Sequence, residues 1–167
     1  MTGIKGFPTV DDPVTALAID VAGNVFAGTV GGFVYKFDGT SWADLTSPST
    51  GTVEIGSLAV NSGALFAGTA DGTIFQFSSG TWNSGVATSA NPIFQISFAS
   101  ASIGYAASAG GGVFKTTDGG GATDWTAVNT GITNLSVRGV AVDSTIGTTV
   151  FAGSNGSGFF QTLTAGE

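Results

Sequence analysis

Apolar residues fall on every second position early in the chain: Leu17, Ile19 and Val21 alternate with Ala16, Ala18 and Asp20. A period of two sends successive side chains to opposite faces of an extended backbone, so this stretch is predicted to be a half-buried β-strand. Gly23-Asn24 turns the chain and Val25 to Thr29 runs back as a second strand. Gly31-Gly32 turns it again into Phe33 to Phe37. Asp38-Gly39, a turn that needs positive φ, then delivers Trp42 on a fourth strand.

The same pattern returns. Phe26-Ala27-Gly28-Thr29, Phe66-Ala67-Gly68-Thr69, Tyr105-Ala106-Ala107-Ser108 and Phe151-Ala152-Gly153-Ser154 stand at offsets of 40, 39 and 46 residues. Each copy follows an alternating run and precedes a Gly-containing turn and a second aromatic run. A strand-built period near 40 predicts propeller blades. The expected fold is all-β: one β-propeller domain over residues 1–167, with four four-stranded antiparallel blades at about 14–52, 53–92, 93–134 and 135–163.

Trp42, Trp82 and Trp125 mark the fourth strand of the first three blades, while the last copy stops after Leu163 with no tryptophan. Residues 4–12 are expected to supply the missing strand. Phe7-Pro8-Thr9-Val10 precedes the first blade as Trp125-Thr126-Ala127-Val128 precedes the fourth, and Phe7 stands for the tryptophan. Phe7 and Val10 are therefore the predicted latch, closing either the same chain as a four-bladed ring or a second copy as an eight-bladed homodimer. Pro8 suits such an edge strand, which can spare one donor.

Composition narrows the chemistry. The hydrophobic content of 42% specifies a folded chain, and 28 glycines suit tight turns between strands. Charged residues make up 9% with a net charge of -7, which leaves no basic footprint for nucleic acid. No apolar run approaches the roughly 20 residues of a membrane-spanning helix. Low charge with abundant Gly, Ser and Thr points to an extracellular, cell-surface or virion-surface setting, although Met1 to Val10 carry no apolar signal segment.

One hairpin carries a family likeness. Val113-Phe114-Lys115-Thr116-Thr117-Asp118-Gly119-Gly120, followed by Trp125, resembles the Asp-box of BNR-like, sialidase-type and sortilin-type propellers. Thr116, Asp118, Gly120 and Trp125 fit that pattern, with about two extra residues before the tryptophan. The other blades keep the frame without the box. The resemblance implies a propeller in which the box is a folding element remote from any catalytic centre. It also implies what a sialidase needs: three arginines, a tyrosine nucleophile and its glutamate. With Arg138 the single arginine and Glu54 and Glu167 the only glutamates, that site cannot be assembled.

The chain has no His and no Cys. Ser-His-Asp triads, Cys-His dyads and the common zinc sets are thereby excluded. Asp11, Asp12, Asp20, Asp71 and Asp143 could furnish a carboxylate pair for glycoside hydrolysis, but several sit at turns where Asp bonds its own backbone. No enzyme, cofactor or metal site is expected. The function expected is a non-catalytic recognition or assembly module that self-associates, with a protein or glycan ligand. The alternatives are a lectin using Trp42, Trp82, Trp125 and Arg138 as ligand contacts, and a carboxylate-pair hydrolase. Packing between blades explains the recurrence of the tryptophans better than sugar stacking does.

Overall fold

The computed structural model describes residues 6–8, 11–46, 48, 52–121, 124–143 and 149–162, which form sixteen strands and no helix. The first sheet runs β1 (Val14–Ile19), β2 (Val25–Thr29), β3 (Val34–Phe37), β4 (Trp42–Asp44), antiparallel and in sequence order. The second runs β5 (Ile55–Asn61), β6 (Ala64–Thr69), β7 (Thr73–Ser78), β8 (Thr81–Trp82), and a fifth short strand, β9 (Val86–Ala87), also pairs with β7. Asn83 causes that split: it exchanges main-chain and side-chain hydrogen bonds with Gln76 at 2.9 Å, interrupting the strand before it resumes. The third sheet is β10 (Ile93–Phe98), β11 (Gly104–Ser108), β12 (Gly112–Thr116), β13 (Thr126–Ala127). The fourth is β14 (Val137–Val142), β15 (Val150–Ser154), β16 (Phe159–Thr162), three strands among the described residues.

The repeated phrase lies on the second strand of each sheet, which in blades 2 and 3 is covered on both faces by neighbouring sheets. That explains its composition. The aromatic and the glycine two residues on share the face turned to the following sheet, where the glycine lets that sheet come close, and the alanine between them faces the preceding one. A Cβ built on Gly28 would lie 2.5 Å from Ile55 Cγ2, and one on Gly68 2.5 Å from Ile93 Cγ2. The closing hydroxyl is buried but bonded: Thr69 Oγ1 donates to Asp71 Oδ1 (2.6 Å) and Thr73 O (2.9 Å). Ser108 Oγ meets Ser89 Oγ at 3.0 Å.

The core consists of three inter-sheet layers. Phe26, Val34, Ile55 and Leu65 fill the layer between blades 1 and 2. Phe66, Ile74, Ile96, Phe114 and Trp125 fill the next, and Tyr105, Val113, Val137 and Val140 the last. Among the described residues no layer joins blade 4 back to blade 1, so the four blades form an open arc. Phe7 packs edge-on against Tyr35 and Trp42 of blade 1, with ring centroids 5.2 and 4.9 Å away. Val10, its proposed partner in the latch, lies outside the described residues, as does Leu163.

Candidate functional site

The strand registers make every blade position comparable. Leu17 pairs with Ala27, Leu58 with Ala67, Ile96 with Ala106, and Val140 with Ala152. These four apolar residues occupy one position, on the face that each blade turns towards its predecessor. Ile96 and Val140 are buried there, but Leu17 is 65% exposed, with no sheet among the described residues packed on that face. Val14 is 45% exposed, whereas its counterparts Ile55, Ile93 and Val137 are fully buried.

The opposite face of blade 4 is open in the same way. Phe26, Phe66 and Tyr105 are buried against a following blade, while Phe151, at their position, is exposed. Phe159 is 71% exposed where Val34, Ile74 and Val113 are buried. Gly153 completes the comparison: a Cβ there would meet nothing nearer than Gly139 O at 4.0 Å, although Gly28 and Gly68 lie under isoleucines. Blade 1 thus presents residues that fit a following-type face, and blade 4 presents that face.

A third feature sits between blades 3 and 4 near their outer edge. A cavity of about 200 Å³ is lined by Val113 and Val128 from one side and by Val150, Phe160 and Thr162 from the other. Between blades 1 and 2 the matching space holds Trp82, which packs with Leu45 and Phe77 and donates its indole N–H to Leu45 O at 3.0 Å. Leu45 and Val128 are equivalent, since each returns a main-chain hydrogen bond of 2.9 Å to Val34 or Val113 on the third strand. The cavity is therefore the seat of a fourth-blade aromatic.

No family model matches the chain, and no curated protein does. Solved structures match closely in shape. The computationally designed Ika4 protein superposes with a TM-score of 0.73 at 18% identity, over 96% of this chain and 98% of that one. A chain of the mitotic checkpoint complex gives 0.77 at 17% identity, over 95% of this chain and 49% of that one. YCF48 from Cyanidioschyzon merolae gives 0.64 at 14% identity, over 91% and 51%.

The fold is a β-propeller. Its chain spans about half the length of YCF48 and of the checkpoint protein.

Within the propeller the predicted ligand residues are placed as follows. Trp125 is buried, and Trp82 and Trp42 pack against Phe77 and Phe37 at 5.1 Å. Their rings are committed to packing. Arg138 lies far from them, on β14, and its guanidinium stacks 4.4 Å over the Phe94 ring. Among the described residues its partner is that ring and not the carboxylate of an ion pair. The register also moves Arg138 one place from the position shared by Ala16 and Ser57. Each first strand bulges at its second residue, and the bulged residues are Thr15, Gly56, Phe94 and Arg138. A bulge re-aims its side chain, here towards the next blade: Thr15 Oγ1 donates to Ile55 O at 2.7 Å, and Phe94 receives Arg138. Phe94 escapes sequence reading because the bulge breaks the period of two.

The Asp-box-like residues form one hydrogen-bonded loop. Thr116 Oγ1 donates to Asp118 Oδ1 (2.9 Å), and Gly120 N donates to both Thr116 Oγ1 (2.9 Å) and Asp118 Oδ1 (3.1 Å). Gly120 has φ +83, and a Cβ there would press on Phe66 at 2.6 Å, so the loop is seated on the core. Asp12, one of the candidate pair carboxylates, accepts Gly31 N at 2.7 Å, and its other oxygen is buried with no partner among the described residues. Among the described residues no three His, Cys, Asp or Glu side chains gather as metal ligands.

The remaining acids serve their own turns, with a consequence for pH. Burial raises the pKa of Asp71, but hydrogen bonds from Thr69 and Thr73 outweigh it and hold the carboxyl below its usual 3.8. Backbone N–H groups of Ser41 and Thr40 lower Asp38, and those of Thr117 lower Asp124. A carboxyl lowered by folding stabilises the native state above its unfolded pKa and loses that contribution as pH falls through the folded value. The melting temperature is expected to hold steady from neutral pH to about 4 and to fall below it. Scanning calorimetry should show a shallower fall for Asp71→Asn.

Proposed function

We propose that the chain is a non-catalytic assembly module in which the front of blade 1 and the back of blade 4 join copies of the chain into a larger propeller. The observation that carries this reading is the pair of mismatched exposures. Val14 and Leu17 are bare at positions buried in every later blade where the structure gives a buried match, and Phe151 and Phe159 are bare at positions buried in every earlier one. Contiguous apolar patches of this kind mark interaction surfaces. The faces belong to one repeat and carry little charge, so each offers the other the packing already used three times within the chain.

The Thr116–Gly120 loop, bonded through Thr116 and Asp118, supports kinship with Asp-box propellers, in which such a loop is structural. The composition is consistent with display at a cell or particle surface. Trp125 is buried and Trp42 and Trp82 are half-buried against Phe37 and Phe77, which supports packing over the lectin alternative.

Sedimentation equilibrium should return twice the chain mass of 16.4 kDa. Leu17→Lys, which puts a charge into the joint, should weaken association at least 100-fold, about 2.7 kcal/mol, with an unchanged circular dichroism spectrum. A wild-type mass of 16.4 kDa at micromolar concentration would refute the assembly reading. Glycoside hydrolysis by the pure protein above background would refute the non-catalytic one.

A further inference from the structure

Resting on that assembly reading, we propose that Phe7 of one copy fills the cavity between blades 3 and 4 of a second copy, so that the segment starting at Phe7 becomes the outer strand of the partner's last blade. The two copies then exchange identical latches around a two-fold axis and complete an eight-bladed ring.

The seat is defined by equivalence. In blades 1 and 2 the outer-strand aromatic lies opposite a phenylalanine of the preceding strand: Trp42 opposite Phe37 and Trp82 opposite Phe77. The residue at that register in blade 4 is Thr162, since it faces Val150 as Phe37 faces Val25 and Phe77 faces Leu65. Thr162 lines the cavity together with Val113, Val128 and Phe160. At about 200 Å³ the space exceeds the roughly 150 Å³ apolar cavity that takes up benzene. A phenyl ring fits, and Thr162 is smaller than the phenylalanines it replaces. Beyond it, β16 pairs with β15 alone among the described residues, leaving an edge for one more strand.

Reach decides whose Phe7 enters. Seven Cα steps separate Phe7 from Val14, the first residue of β1, and seven extended steps cover at most about 25 Å. The chain's own blade 4 is three sheets away, about 30 Å at 10 Å per sheet, and further at the outer rim of an arc. A partner's blade 4 docked on blade 1 is one sheet away. Phe7 lies on the open front of blade 1, the side on which that partner's blade 4 docks, against Tyr35 and Trp42.

Because the chain has no cysteine, the test is a disulfide between introduced thiols. Directly opposed residues of antiparallel strands lie about 4.5–5.5 Å apart at Cα, within the range a disulfide spans. Phe7→Cys/Thr162→Cys, oxidised in air, should run as a dimer on a non-reducing gel and revert with reductant, while each single variant stays monomeric. A monomer with both thiols consumed would mean that the latch closes in its own chain and would overturn the proposal. So would free thiols at a concentration where Phe7→Ala still sediments as a dimer, a result that leaves face-to-face assembly standing. A monomeric wild type would overturn both readings. Phe7→Trp, restoring the residue of the other blades, should tighten the dimer. Phe7→Ala, which empties two seats per dimer, should weaken it at least 100-fold. Equal dissociation constants for these two variants would also sink the latch.

Discussion

Phe66→Ala is expected to cost about 3–5 kcal/mol, lowering the melting temperature by roughly 10 °C for a chain of this size. Phe66 is fully buried, its ring lies 4.7 Å from Phe98, and it belongs to the layer that includes Ile96, Phe114 and Trp125. The Asp-box-like loop rests on the same ring through Gly120. Removing it opens a cavity between blades 2 and 3 that stiff strand backbones cannot close. Phe151→Ala is the matched control, since the same repeat position is exposed on blade 4. In the isolated chain that change should fall within about 0.5 kcal/mol; in an assembled propeller Phe151 should become as costly to remove as Phe66. Thermal melts of both variants, at concentrations above and below the association midpoint, measure this directly. Equal losses at low concentration would show that the arc does not end at blade 4.

The second large effect concerns two glycines that differ only in what covers them. Gly68→Ala should destabilise the fold by about 1–3 kcal/mol, because the new methyl group would lie 2.5 Å from Ile93 Cγ2 and from Ser57 Oγ. Gly153→Ala adds the same methyl group to open space, 4.0 Å from the nearest atom. The monomer should keep its melting temperature while association weakens, because the Val14 of an incoming copy would meet that methyl group as Ile55 and Ile93 would meet one on Gly28 and Gly68. Urea unfolding reads the first effect and sedimentation the second. A Gly153→Ala variant that associates like the wild type would show that blade 4 does not receive a second blade 1.

Much of this architecture was legible in the residues. The strand alternation, the period near 40 and the Phe-Ala-Gly-Thr phrase placed the blades, because a second strand packed between two sheets demands one large and two small residues in a set order. The tryptophans were readable as packing for the same reason. Asn83 was not readable: a side chain that mimics a strand partner splits the outer edge of blade 2 without disturbing any apolar pattern. Nor was Phe94, since a bulge gives its residue a direction that alternation does not encode. Arg138 stood out in the sequence as the single arginine, while the ring it stacks on, on the adjacent blade, did not.

By itself, then, the sequence determined the repeat, the strand order within each blade and the absence of histidine and cysteine chemistry. These follow from local periodicity and residue type, which act over a few residues. The tertiary structure alone decided that the four blades make an open arc, that Leu17 and Phe159 are bare where their counterparts are buried, and that the vacant aromatic seat lies between blades 3 and 4. Those facts depend on the angle between successive sheets. That angle is set by how side chains interlock across each layer, and no pattern along one strand records it.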